Sequence, residues 1–257
     1  MGANREPPQQ SPEARLARLA ANAEAAQWSV ARDIDWQHIR RLPTWISHAQ
    51  ARAAISQLYH GELATARFCQ NLLRELDPGD AHCCLAWQLI DEERHAEVYR
   101  RYLDQLGGVT PIEPGLAEAL DAVARGPAGE LGAMIAYHVI VEGEVLRLQG
   151  LITHFLPCPL LRQINRRIAR DEARHVAFGQ IFLAEALAGW PEATRASIYY
   201  WLHRIWGQST DVTLDTRYRS SMARRVLWRW LQSGWDRHAA ALKQIGVAPQ
   251  SRPGSAS

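Results

Sequence analysis

Long apolar runs are missing from this 257-residue chain: the longest, Leu131 to Val141, is too short to cross a bilayer and contains His138. The N-terminal stretch has no apolar core of signal-peptide type either, so a cytoplasmic protein with no membrane partner is expected. Cysteine is also scarce. Cys69, Cys83, Cys84 and Cys158 form no C-x-x-C pair, which argues against a rubredoxin-type or zinc module and fits four core residues in a reducing compartment. A net charge of only +2 gives little long-range attraction for nucleic acid, and none is expected as a partner. No stretch shows a convincing alternating strand pattern. What remains is 47% hydrophobic and 22% charged, the composition of a globular enzyme large enough to bury a substantial core.

Against that background one pattern occurs twice: Asp91-Glu92-Glu93-Arg94-His95 and Asp171-Glu172-Ala173-Arg174-His175, eighty residues apart. Glu62 lies thirty residues before Glu92, and Glu142 lies thirty before Glu172. On a helix, positions three apart share a face, so Glu92 with His95, and Glu172 with His175, each present a carboxylate and an imidazole to one point. A thirty-residue interval lets the chain finish one helix, turn, and return along an antiparallel neighbour to the same height, which brings Glu62 and Glu142 level with the pairs. Four carboxylates and two imidazoles balance two divalent cations and suit iron or manganese.

With sixteen Glu and ten His in the chain, about 0.6 Glu-x-x-His matches are expected by chance. The motif alone is therefore uninformative. The shared Asp, the shared Arg and the equal upstream interval supply the signal, and apolar flanks at helical spacing argue against a merely solvated face. Glu142 and Glu144 flank Gly143 and point about 200° apart, so only one can face the metals. The interval selects Glu142. Gly143 itself suggests a local bulge or a close substrate approach.

The expected architecture is all-α, a four-helix bundle with a long crossover and further helices at both ends. Tails are expected at 1–12 and 248–257, around a single helical domain over 13–245. An Ala- and Arg-rich helix near 13–27 leads into a Trp-bearing connector, 28–43. The bundle helices span about 45–76, 81–106, 128–155 and 159–188, with a crossover helix near 115–124. Residues 192–245 read as two helices bearing Trp201, Trp206, Trp228, Trp230 and Trp235 among Arg217, Arg219, Arg224, Arg225 and Arg229. Their helical spacing favours packing onto the bundle, at a homodimer interface or as the roof of a substrate channel.

This arrangement resembles the ferritin-like superfamily, and within it the bacterial non-heme di-iron oxygenases and oxidases that include the ribonucleotide reductase small subunit, acyl carrier protein desaturases and arylamine oxygenases. The resemblance covers about residues 45–190 and is densest over Arg170-Asp171-Glu172-Ala173-Arg174-His175-Val176-Ala177-Phe178-Gly179. It implies that Glu62, Glu92 and His95 bind one iron and Glu142, Glu172 and His175 the other, with Glu92 and Glu172 bridging. It also implies that Asp91 and Asp171 each accept a hydrogen bond from the histidine of the opposite pair; the alternative is an ordinary salt bridge to Arg94 or Arg174. Two iron ions, or manganese with iron, would then activate O2 to hydroxylate, N-oxygenate or desaturate a small organic substrate, with a ferredoxin or reductase supplying electrons. A ferritin-type iron-storage protein and a helical interaction protein with a vestigial site are the alternative readings.

Residues a turn or two from the ligands are expected to line a cavity: Tyr59, Ala66, Cys69, Gln88, Tyr99, His138, Gln149, Gly179 and Phe182. Tyr99 lies four residues after His95, the offset of the radical tyrosine in the resembled reductase subunit. It is either redox-active or a core tyrosine with a satisfied hydroxyl. Against that subunit the chain reads as considerably shorter, with no tyrosine-bearing tail, so nucleotide reduction is not expected. His138, one turn before Glu142, is an extra ligand, a proton shuttle or a buried imidazole. Arylamine oxygenases carry an extra histidine one turn before the Glu of the last ligand helix; here Ile168 stands there, which weighs against amine N-oxygenation.

Overall fold

Ser11 opens the first helix. Its side-chain oxygen accepts the Ala14 N–H at 3.3 Å and Pro12 occupies the first turn, where no intrahelical donor is needed. Helix α1 (Pro12–Ala25) thus begins inside the tail expected for 1–12. The computed structural model describes residues 11–37, 47–155, 158–217 and 221–249, with side chains described at all of these except 155, 209–217, 221–228 and 230–232. The tails at 1–10 and 250–257, Trp45, and the arginines and tryptophans of 217–228 and 230 fall outside that description.

Helix α2 (His48–Leu72) starts at a reciprocal cap, in which Ser47 accepts from the Gln50 backbone and Gln50 reaches back to the Ser47 N–H. Helix α3 (Asp80–Asp104) stops at Gly107 and Gly108, whose φ values of 98° and 90° suit glycine, and the Gly108 N–H closes onto the Leu103 carbonyl at 2.9 Å. Helix α4 (Pro114–Ala124) makes the crossover. The third bundle rod is interrupted: α5 (Gly129–Ile135) passes through a π-helical turn over Ala136–Val141 into α6 (Glu142–Phe155). Of the bulge or close approach that Gly143 suggests, the irregular turn lies one turn earlier, and Gly143 itself admits the ring of His238, 3.1 Å from where a Cβ would stand. Helix α7 (Pro159–Ala186) completes the bundle, and α8 (Glu192–Arg217) and α9 (Ser221–Gln244) follow. No strand occurs among the described residues.

The bundle is layered along its length. Ile55, Leu58, Val98, Tyr99, Tyr102, Ile164 and Ile168 fill one end together with Trp28 and Val30 of the connector. Cys69, Leu72, Leu85, Met134, Ile135, Phe178 and Leu183 fill the other, and α8 and α9 extend this layer with Trp201, Trp206 and Trp235. Each fully buried aliphatic side chain contributes about 1.5–3 kcal/mol. Between the two layers α2, α3, α6 and α7 present carboxylates and imidazoles, groups whose burial costs several kcal/mol apiece unless compensated. The C-terminal helices pack as expected, α8 against α4 and α9 against the π turn. Gly126 is where α8 comes closest, since a Cβ there would stand 2.3 Å from the Trp201 ring.

Candidate metal centre

Glu62 from α2, Glu92 and His95 from α3, Glu142 from α6, and Glu172 and His175 from α7 are all buried, at 0–3% exposure. They form two overlapping groups. Ligand atoms of Glu62, Glu92, His95 and Glu172 lie within 4.8 Å of one another, and so do those of Glu92, Glu142, Glu172 and His175. Glu92 and Glu172 belong to both. Both histidines turn Nδ1 inward. His95 Nδ1 sits 3.3 Å from Glu172, 3.5 Å from Glu62 and 3.6 Å from Glu92; His175 Nδ1 sits 3.1 Å from both Glu92 and Glu172 and 3.8 Å from Glu142.

The Nε2 atoms point outward and cross between halves. His95 Nε2 lies 3.1 Å from Asp171 Oδ2, and His175 Nε2 lies 3.2 Å from Asp91 Oδ2. An ionised aspartate accepts only, so each Nε2 carries hydrogen and Nδ1 is the nitrogen left to face the centre. The salt bridges to arginine form as well. Arg94 reaches Asp91 and, at 3.2 Å, Asp171, while Arg174 reaches Asp91 at 3.1 Å and Asp171 at 2.5 Å.

Glu62 Oε1, Glu92 Oε2, His95 Nδ1 and Glu172 Oε1 are buried polar atoms without a hydrogen-bond partner among the described residues. Orphaned acceptors turned toward one point fit a cation. The charge fits too, because six carboxylates face two guanidiniums and leave four negative charges, those of two divalent ions.

Burial and mutual charge shift the titration of these groups strongly. Burial pushes the Glu62 and Glu142 carboxyls well above the usual range, with neighbouring carboxylates adding to the rise. Burial alone would depress both imidazoles, but His95 is raised well above its ordinary value by its hydrogen bond to Asp171 and by the carboxylates of Glu172, Glu62 and Glu92 beside its Nδ1, and His175 by the Glu92 charge and its bond to Asp91. Burial works against Glu92 and Asp171 as anions, yet His175 holds the first well below its ordinary range and His95 holds the second low. Burial and the charges of Glu92, Glu142 and Glu172 push the Cys69 thiol up, so it stays neutral beside the ligands.

Glu144 leaves the centre, pairing with His238 Nε2 at 2.8 Å and Arg147 at 2.9 Å. His138 lies outside both ligand groups. Its Nε2 is 2.9 Å from Gln88 Oε1 and its Nδ1 is 3.1 Å from the Met134 carbonyl, and burial pulls its pKa down to about 4. A neutral ring has one N–H for these two acceptors. Because the Gln88 amide nitrogen faces Glu142 at 2.8 Å, its oxygen faces His138, which places that hydrogen on Nε2. The Tyr99 hydroxyl donates to Asn165 at 3.1 Å and accepts from Gln149 at 3.2 Å. Tyr99 and Gln149 are thus bonded to each other, whereas His138 borders a cavity of about 340 Å³ shared with Val139, Leu146, Val176 and Arg237. Cys83 is exposed, not a core residue.

Gln27 and Trp28, just past the end of α1, escaped the sequence reading. The Trp28 indole donates to Asp171 at 2.7 Å, Gln27 donates to Asp91 at 3.1 Å, and Arg94 stacks over the Trp28 ring at 4.8 Å. A buried indole needs an acceptor. Nothing in its spacing says that the acceptor is Asp171, 143 residues away.

No family model matches the chain. Several solved structures share its fold. An R2-like ligand-binding oxidase variant with a reconstituted Mn/Fe cofactor superposes with a TM-score of 0.67 at 17% identity, over 90% of this chain and 93% of that one. The R2-like ligand-binding oxidase of Sulfolobus acidocaldarius gives 0.62 at 19% identity with the same coverage. The ribonucleotide reductase R2 subunit of Clostridium botulinum gives 0.65 at 15% identity, over 92% of this chain and 83% of that one. The fold is therefore the R2-like, ferritin-like helical fold.

Proposed function

We propose that this protein is an oxidoreductase that binds two redox-active ions, Fe/Fe or Mn/Fe, and uses O2 to oxidise a small organic substrate. The observation that carries the reading is the pair of overlapping buried ligand groups, in which Glu62, Glu92 and Glu172 each keep an unpartnered oxygen and whose four uncompensated charges match two divalent cations. Glu62 and His95 would hold one ion and Glu142 and His175 the other, with Glu92 and Glu172 between them. When bound, such a pair supplies the electrons that reduce O2 and the oxidising power that follows. Asp91 and Asp171 keep the imidazole protons on Nε2. The apolar layers on either side keep bulk water from the carboxylates, so their charge is spent on the cations and not on solvent. A ferredoxin or reductase as electron donor, and a homodimeric assembly, belong to the same proposal.

The test is stopped-flow absorbance of protein loaded anaerobically with Fe(II) at two equivalents and mixed with O2. An oxygen-dependent near-ultraviolet and visible transient, with two bound ions per chain by mass spectrometry, is the expected result. Absence of stoichiometric iron binding and of any oxygen-dependent signal overturns the proposal.

A further inference from the structure

The offset of eighty residues that relates the two ligand sets also relates their neighbours, and there the repeat breaks. Glu62 corresponds to Glu142 and Glu92 to Glu172, but Leu58 corresponds to His138, Ile168 to Gln88, and Tyr99 to Gly179. On one side Leu58, Ile168 and Tyr99 all belong to an apolar cluster. On the other, Gln88 Nε2 donates to Glu142 Oε1 at 2.8 Å and, over a longer 3.4 Å, to Glu92 Oε1. Gln88 is held in turn by His138 at 2.9 Å. His138 has no freedom to swing away. Its ring meets Phe68 and Phe178 edge-on at 6.0 and 5.3 Å, and it packs against α7 where a Cβ on Gly179 would come within 2.3 Å of its own. A tyrosine at 179, as its counterpart has at 99, would not fit.

We infer that Gln88 and His138 are positioning residues that fix Glu142, and through it one of the two metal positions, by a hydrogen-bond chain with no counterpart in the other half, so that the two ions are held unequally. The inference rests on the reading that these groups bind metal. Its physical basis is preorganisation. A carboxylate already oriented by a buried donor loses less freedom when it takes a cation, and removing such an outer partner typically weakens metal binding about 10–100-fold. The Glu62 position receives no such donor from Leu58 or Ile168.

The experiment is anaerobic titration with Mn(II), followed by the electron paramagnetic resonance of the free ion, on wild type and two variants. Gln88→Met keeps volume and deletes the amide; His138→Leu copies the other half's residue and cuts the anchor one step further out. In each variant one ion is expected to weaken about 10–100-fold while the other stays within about threefold. His138→Gln, which retains an N–H donor, is expected to recover most of the loss. Unchanged affinities in the variant that folds, or both ions weakened alike, overturn this inference alone. A wild type that binds no Mn(II) overturns it together with the proposed function.

Discussion

Metal loading of this site is expected to expel protons, and their number follows from its charges. In the metal-free protein Glu62 and Glu142 are raised by burial and neighbouring carboxylates, and His95 and His175 are raised by the anions bonded to them, so all four favour their protonated forms. That leaves ionised Glu92, Glu172, Asp91 and Asp171 opposite His95, His175, Arg94 and Arg174, a neutral cluster. Two divalent ions keep the cluster neutral only if the protons held by these four groups leave, so up to four are released per two ions. The sign is fixed. Groups protonated without metal and deprotonated with it make affinity rise with pH, and release declines as pH climbs through the raised values, where the protein has already shed its protons. Mn(II) added anaerobically to lightly buffered protein, with an indicator dye calibrated against acid, reads the count directly. Asp171→Asn deprives His95 of the first of its raising partners and should remove about one proton from the count. Two ions bound with fewer than about two protons released, or an affinity indifferent to pH, would refute the reasoning.

Three further outcomes are expected. Glu142→Gln should lower the metal stoichiometry toward one ion per chain, while Glu144→Gln, whose carboxylate faces His238 and Arg147, should leave it at two by mass spectrometry. Trp28→Phe removes the 2.7 Å donor to buried Asp171 and should cost about 1.5–3 kcal/mol, read as a lower denaturant midpoint at constant m-value; an unchanged midpoint would mean the indole is not coupled to the site. Gly179→Ala gains about 1 kcal/mol in helix propensity but drives a methyl to 2.3 Å from His138 Cβ, so a net loss of about 1–3 kcal/mol is expected, and a stabilised variant would show that the π turn yields.

The bundle was legible because its determinants are local. Helical periodicity, Gly107-Gly108, Pro159 and the Ser47 cap each act within a few residues, and the thirty-residue interval converts directly into height along antiparallel helices. The choice of Glu142 over Glu144 came from that interval, and the structure sends the two side chains to different partners. The π turn was not legible at its true place. Ala136–Val141 contains no glycine or proline to mark it, and the turn is held by His138 against Gly179 and by α9 behind it. Gln27 and Trp28 escaped for the same reason. Their partners are carboxylates brought near by tertiary folding, and neither residue repeats in the second half.

The five-residue pattern itself has a geometric cause. The Glu and His of Asp-Glu-x-Arg-His are three apart and face the centre; the Asp and Arg are also three apart, one position earlier, on a face turned by about 100°. On α3 and α7 these second faces meet, so Arg94 and Arg174 each bind both Asp91 and Asp171. The guanidiniums thereby neutralise the aspartates without approaching the carboxylates that would take metal. Each aspartate is left with an oxygen for the imidazole of the opposite helix. Orientation of His95 therefore depends on α7 and that of His175 on α3, so a defect in either Asp is felt first at the other half's ion. This coupling explains why Asp and Arg recur together with the ligands: a single Glu-x-x-His can be built on one helix, but its imidazole can be aimed only by a second.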